Sequence, residues 1–196
     1  MGRVDRLEAA EPLLRTARME LRPFTGHDEP LIVALDGDPE VMRYLTGGRP
    51  TPPQAVRERA LPRLMRRYAC LGGLPGFWAA REGEAFLGWF ELRPVQDDSA
   101  DTVELGYRLR RDAWGHGYAT EGARALVELA FTGLGVQRIT ANTMTVNAGS
   151  RRVMEKSGLV YVRTYFGDWP ERIDGSEHGE VEYEMTHDDW RLRRPE

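Results

Sequence analysis

The stretch Arg110-Arg111-Asp112-Ala113-Trp114-Gly115-His116-Gly117-Tyr118-Ala119-Thr120-Glu121 lies between a strand pattern and a long amphipathic helix pattern. Two glycines one residue apart let a backbone come very close to a ligand. The helix that follows offers unpaired N–H groups and the positive end of its dipole. Together they describe a cradle for a phosphate or pyrophosphate. A dinucleotide fingerprint fails for lack of a third glycine and of an acidic residue ending the next strand. A Walker-type loop fails for lack of Gly-Lys-Ser/Thr. The plain alternative is a tight turn without a ligand. Against it stand the two glycines together with small Ala119, Gly122 and Ala123, which imply close approach on both sides.

Working outward, Thr102 to Arg110 reads as a strand. Val103, Leu105, Tyr107 and Leu109 share one face; Thr102, Glu104, Gly106, Arg108 and Arg110 share the other. Gly106 leaves that second face bare beside Glu104, which predicts room for a substrate. The alternative for Glu104 is an ion pair with Arg108 on a solvated face. Downstream, Ala119 to Phe131 reads as a helix with Ala119, Ala123, Leu126, Val127, Ala130 and Leu134 on one face. Val136 to Met144 is a strand, and Ala148 to Lys156 a short helix capped by Asn147 and closed by Gly158. Leu159 to Phe166 is a strand, Asp168 to Gly179 a polar loop, and Glu180 to Thr186 a last alternating strand.

Upstream, residues 1–15 read as an N-terminal arm and Arg18 to Phe24 as a strand. Asp28 caps a helix over Glu29 to Leu35. Pro39 opens a second, ended by Gly47-Gly48. A third starts at Thr51 or Pro52 and runs through Val56, Leu61, Leu64, Met65 and Tyr68, kinked or broken at Pro62. Gly76 to Arg81 and Ala85 to Leu92 form a hairpin around Glu82-Gly83-Glu84. The order predicts a mixed α/β chain, with residues 16–196 as a single domain.

With 41% hydrophobic and 30% charged residues, the chain of 196 has the composition of a globular domain with a full core. Its formal net charge of -4 argues against a general nucleic-acid binder. Cys70 is the only cysteine, which excludes a disulfide within the chain. His27, His116, His178 and His187 lack ligand spacing, so no metal site is expected. No secretory signal and no membrane-length apolar run is visible, and a cytoplasmic location is the default expectation.

The run Trp114 to Glu121, then Ala130-Phe131, Asn147-x-x-Ser150 and Glu155-Lys156-Ser157-Gly158, resembles the GNAT superfamily of acyl-CoA-dependent N-acyltransferases, and within it the RimJ/RimL branch. Arg18 to Phe24 and Glu182-Tyr183-Glu184-Met185 also resemble that branch, so the likeness covers nearly the whole chain beyond the arm. It implies a mixed, mostly antiparallel sheet, flanked by helices and splayed between its middle strands, here Thr102–Arg110 and Val136–Met144. Acyl-CoA, acetyl-CoA by default, would be wedged in the gap as co-substrate. The cofactor residues would be Leu109, Arg110, Trp114, Gly115, His116, Gly117, Tyr118, Ala119, Thr120 and Asn147, with the N–H groups from Gly115 to Thr120 on the phosphates. Arg110, Arg111, Arg151 and Arg152 flank the proposed mouth, where solvated surface is the competing reading.

The superfamily's usual phosphate signature begins with Gln or Arg where this chain has Trp114, which is normal for the branch. Glu104 would be the general base, directly or through water. Asn147 would bond the pantetheine arm. The tyrosine that many relatives use as general acid is Met154 here, which cannot donate a proton; the resemblance implies that the branch's serine, Ser150, would take that role, the alternative being a polar residue in the helix's first turn. The reaction implied is direct attack of a primary amine on the thioester in a ternary complex, with the oxyanion held by a backbone N–H near Leu109. A lysine-type amine is neutral in only roughly one molecule in two thousand at neutral pH, an α-amine in roughly one in ten. A carboxylate acting through water therefore suits an α-amine, of a peptide or a small molecule. Asp97, Asp98, Asp101, Asp168, Glu171, Asp174 and Glu177 would draw a cation if their loops rim the amine side, or are ordinary solvated charge. The rival from another class is a non-catalytic acyl-CoA sensor or interaction module. Monomer and homodimer both fit, as an exposed sheet edge is expected.

Overall fold

A computed structural model describes residues 13–167, 173 and 175–193. Of the expected arm, residues 1–12 lie outside these; Leu14–Arg15 pairs as strand β1 with β2 (Glu20–Pro23). A 3₁₀ turn, Gly26–Asp28, leads into helix α1 (Glu29–Asp36). Asp28 stands at the N-cap of α1, but its carboxylate turns back to accept from the Thr25 N–H at 2.7 Å and from Arg22 at 2.5 and 2.9 Å. Helix α2 (Pro39–Thr46) is capped by Asp38, whose carboxylate accepts from the Glu40 N–H at 2.9 Å, and it ends at left-handed Gly47.

The third front helix differs most from expectation. It runs as α3 (Pro53–Ala55), a π-helical stretch Val56–Ala60, and α4 (Leu61–Leu64). Pro62 has no N–H to give the carbonyl four residues back. The chain widens just before it, and the Leu61 N–H reaches Val56 O instead. The helix stops at Leu64. Tyr68, expected inside it, belongs to the two-residue strand β3 (Arg67–Tyr68), paired with β4 (Leu74–Pro75).

Strands β5 (Phe77–Glu82), β6 (Ala85–Gln96) and β7 (Ser99–Leu109) form a meander. β6 runs past the expected Leu92 and through Pro94. β5 has already ended there, so the missing N–H of Pro94 costs no ladder bond. Helix α5 (Tyr118–Gly133) crosses over to β8 (Arg138–Met144). Helix α6 (Ala148–Lys156), β9 (Val160–Tyr165), β10 (Glu180–Thr186) and a short α7 (His187–Leu192) follow. The sheet order is β1-β2-β5-β6-β7-β8-β10-β9, antiparallel except for β7 with β8. This is the mixed, mostly antiparallel sheet expected. Among the described residues no helix is long and apolar enough to cross a membrane.

One face of the sheet packs Phe90, Leu92, Val103, Leu105, Ile139, Ala141 and Val181 against Ala123, Leu126, Val127 and Ala130 of α5. The other face is covered only over β5 and β6, where Phe77, Ala79 and Trp89 meet Ile32, Leu35, Val56 and Leu61 of the front helices. The half of that face formed by β7, β8 and β10 is left polar and open.

Helix α5 sits close to the sheet because of Gly122. A Cβ there would lie 2.2 to 2.6 Å from the fully buried ring of Phe90. Gly122→Ala gains about 1 kcal/mol of helix propensity. Overpacking costs about 1–3 kcal/mol, and a rigid buried ring puts this case at the upper end. The variant should lose about 2 kcal/mol of stability, read as a Tm lower by about 4–8 °C in thermal unfolding.

Candidate active site

β7 and β8 are hydrogen-bonded only at Thr102↔Arg138, Val103↔Ile139 and Glu104↔Thr140. Both strands continue, to Leu109 and Met144, while their outer edges stay paired to β6 and β10. Beyond Glu104 and Thr140 the facing edges therefore diverge and leave a gap lined by unpaired backbone groups. The Arg110 N–H donates to Leu87 O at 2.9 Å. Antiparallel ladders alternate, so Leu109 turns its own N–H and C=O into the gap. That carbonyl already accepts from Trp114 Nε1 at 2.8 Å. The Trp114 ring thus folds back over the end of β7, and the Leu109 N–H is left for a ligand.

After β7 comes a 3₁₀ turn, Arg111–Ala113, with Ala113 buried, and then the glycine loop. Gly115 and Gly117 both have left-handed backbones, φ 77° and 85°. Gly117 is the N-cap of α5 and carries no side-chain cap. Among the described residues none accepts from the N–H groups of Gly115 to Thr120. A run of free donors at the positive end of a sixteen-residue helix fits a diphosphate.

The loop is braced from behind by residues that sequence reasoning missed. Arg18 donates to Glu121 Oε2 at 2.7 Å and to the His116 carbonyl at 3.0 Å, and its guanidinium lies 4.2 Å from the Tyr118 ring centroid. Thr16 Oγ1 donates to Glu121 Oε1 at 2.6 Å. The Tyr118 hydroxyl donates to Glu82 at 2.6 Å. His116 itself is exposed. Of the arginines at the proposed mouth, Arg110 pairs with Asp112 at 2.7 Å and Arg111 approaches Asp38 at 3.9 Å. Arg151 turns inward to Tyr183 and Thr145, and Arg152 is exposed.

Asn147 caps α6: its Oδ1 accepts from the Ser150 N–H at 3.2 Å and its Nδ2 donates to Thr143 Oγ1 at 3.1 Å. Each group keeps one hydrogen-bonding position unused. Ser150 meets a residue not singled out from the sequence. The Tyr107 hydroxyl donates to Ser150 O at 2.8 Å and lies 3.1 Å from Ser150 Oγ. Burial pushes the Tyr107 phenol far above its ordinary range, so it stays protonated at any working pH. Met154 is buried in the core.

Glu104 projects from the opposite face of β7 into an open cleft of about 510 Å³, which it shares with Thr102, Thr140, Asn142 and Glu182. The expected alternative partner, Arg108, goes elsewhere. It bonds Asp36 of α1 at 2.6 Å and lies over the Trp89 ring. Glu104 instead meets Arg93 of β6. The same guanidinium donates through Nε to Glu91 at 2.6 Å. Glu91 also corrects the expectation of bare space at Gly106. A Cβ on Gly106 would sit 2.9 Å from Glu91 Oε2, so the glycine makes room for this carboxylate. Burial pushes the Glu91 carboxyl above the usual carboxylate range, and the charge of Glu104 adds to the shift; Arg93 and Arg63 only partly offset it. Glu91 is 7% exposed. Asp97 is exposed and paired with Arg66 at 2.6 Å; Asp168, Glu171 and Asp174 lie outside the described residues. The negative charge at this cleft comes from strands, where the sequence reading looked to loops.

The site thus has two sides. Ser150 and Tyr107 lie on the α5 side of the gap, and Glu104 on the open side. A nucleophile entering from the open side and a leaving group departing on the other would find a carboxylate and a hydroxyl where each is useful.

The chain matches the family model described as Acetyltransferase (GNAT) domain over residues 18–160. It is 40% identical over 197 aligned residues to the FsC-acetyl coenzyme A-N(2)-transacetylase of Aspergillus fumigatus, covering 95% of this chain and 81% of that protein. Two solved structures share the fold. Spermidine N-acetyltransferase from Vibrio cholerae, in complex with CoA and spermine, superposes with a TM-score of 0.71 at 14% identity over 89% of this chain and 98% of its own. RimL, a ribosomal L7/L12 alpha-N-protein acetyltransferase in complex with coenzyme A, gives 0.74 at 14% identity over 90% and 98%. The chain belongs to the GNAT family of acetyltransferases and is an N-acetyltransferase.

Proposed function

We propose that this GNAT acetyltransferase moves an acetyl group from acetyl-CoA to a primary α-amine, of a small molecule or a peptide N-terminus, by direct attack in a ternary complex. The observation that carries the reading is the opening of β7 from β8 beyond Glu104, with the free N–H groups of Gly115 to Thr120 at its far end. The diphosphate lies on those donors, and the pantetheine arm runs along the gap past Asn147. The thioester oxygen accepts from the Leu109 N–H, which stabilises charge as it develops. The amine comes from the Glu104 side, loses its proton to that carboxylate directly or through water, and attacks the carbonyl carbon. The C–S bond breaks as Ser150, its hydroxyl placed by Tyr107, protonates the departing sulfur and regains a proton from water, while the attacking nitrogen gives up its second proton toward Glu104 and water to leave a neutral amide.

Two features support an α-amine. A carboxylate is a modest base, and an α-amine needs little help to lose its proton at neutral pH. The Aspergillus relative's name also gives the acetylated atom as a nitrogen numbered 2, which in an amino acid is the α-nitrogen. Trp114 and the Asn147-x-x-Ser150 spacing favour the RimJ/RimL branch. A thiol-release assay with acetyl-CoA over a panel of amines tests the reading. Release should be greatest with α-amines of amino acids or peptides. Tight acetyl-CoA binding without release on any amine would instead identify a sensor.

A further inference from the structure

Glu91 has no part in the reaction just described, yet it is a carboxylate placed at considerable cost. Only 7% of it is exposed, and its carboxyl group occupies the space that a side chain at position 106 would need. A buried carboxylate is retained only where it is paired. Its partner Arg93 is also the partner of Glu104. One guanidinium thus joins two carboxylates on the same face of the sheet, the first buried and the second at the cleft wall. One positive charge cannot neutralise both, so the trio carries a surplus negative charge.

The surrounding charges leave this surplus in place. Arg63 of α4 comes within 3.7 Å of Glu91, but it is mostly in water and is screened. The Tyr68 ring of β3 packs near Arg93, both lying against Gly76. Across the cleft, Glu182 is paired with Arg163 at 2.5 Å and Arg138 with Glu184 at 3.1 Å, so those groups cancel in pairs. Glu91 provides the difference between a neutral Arg93–Glu104 pair and a site with net charge.

We propose that Glu91 is a positioning residue for acetyl transfer: it holds Arg93 and supplies the surplus negative charge with which the trio draws the ammonium form of the acceptor and takes its first proton. This rests on the acetyl-transfer reading above. In that step an N–H bond of the ammonium breaks, the proton passes to the exposed Glu104 oxygen and on to water, and the electron pair stays on nitrogen for attack.

The test compares kcat/KM of the wild-type chain and Glu91→Gln across pH, with the best acceptor from the amine panel. Below the amine's pKa the acceptor is cationic, and removal of one nearby charge should cost about tenfold. Well above about pH 8 an α-amine is already neutral. There the loss should shrink to about twofold or less. The acceptor KM should rise at low pH while the KM for acetyl-CoA stays unchanged. A purely structural Glu91 would lower activity equally at both ends, and that result overturns the proposal, as does wild-type behaviour throughout. Gly106→Ala is the second variant. It keeps every charge but pushes the flexible end of Glu91 away from its place, and should show the same pH-weighted loss in smaller degree. If Glu91→Gln does not fold, this variant decides. A wild-type chain that turns over no amine removes the acetyl-transfer reading; a normal wild type with uniformly weakened variants removes only the role of Glu91.

Discussion

Glu104→Gln should leave acetyl-CoA bound and turnover nearly abolished. The amide keeps the volume and the acceptor oxygen of the carboxylate but cannot take a proton at neutral pH. A positioned base contributes about 10²- to 10⁴-fold, so kcat should fall by at least about a hundredfold. Arg93 keeps its bond to Glu91, which limits collapse of the cleft wall. The proposed diphosphate cradle lies far away: the strand alone from Glu104 to Leu109 spans about 17 Å at 3.4 Å per residue. Acetyl-CoA affinity, measured by calorimetry, should therefore stay within about twofold, since the remaining coupling over that distance is screened. Steady-state rates with the preferred amine give the other half of the test. An unchanged kcat would remove Glu104 from the mechanism, and a parallel loss of affinity and rate would show that the substitution had only damaged the fold.

The sequence made the glycine loop, α6 and β10 legible because each carries its own local punctuation. Asn147 and Gly158 bracket α6, and strict alternation marks β10. Helix α7 was missed although Thr186 and Asp189 form a capping box, a signal that could have been read. The third front helix was read too long because a proline's effect on helix geometry depends on whether the preceding turn can widen, and periodicity does not reveal this. In the site, what escaped was pairing between distant segments. Glu104 looked like a partner for Arg108 four residues on, but the sheet brings Arg93 to it from the neighbouring strand and sends Arg108 to Asp36. Gly106 signals an absent side chain, but the space beside it holds a carboxylate and is not room for a substrate. Its occupant, Glu91, could be named only once β6 and β7 were in register. The bracing of the glycine loop by Arg18 joins residues 103 positions apart from Glu121, and no window of sequence contains both.

Gly117→Val should act at the other end of the site, on cofactor affinity first. A Cβ at this position meets nothing closer than Arg18 Nη2 at 3.5 Å, an ordinary contact, so collision is not the cause. The cause is the left-handed backbone, φ 85°, which costs about 1–2 kcal/mol for a residue with a Cβ and more for a branched one. The loop can relieve that strain only by rotating Gly117 out of the left-handed region. Rotation turns the Gly117 and Tyr118 N–H groups away from the diphosphate and disturbs the bond from Arg18 to the His116 carbonyl. A hydrogen bond to a charged group contributes about 1.5–3 kcal/mol. Loss of one or two such bonds predicts acetyl-CoA binding weaker by at least about tenfold to a hundredfold, at about 1.4 kcal/mol per tenfold. Gly47→Val is the control, because Gly47 has a similar φ of 69° at the end of α2. It should cost stability of the same order and leave acetyl-CoA affinity alone. Calorimetric titration of both variants separates strain in general from strain at the cradle. Wild-type affinity in Gly117→Val would mean that the diphosphate does not rest on these amides.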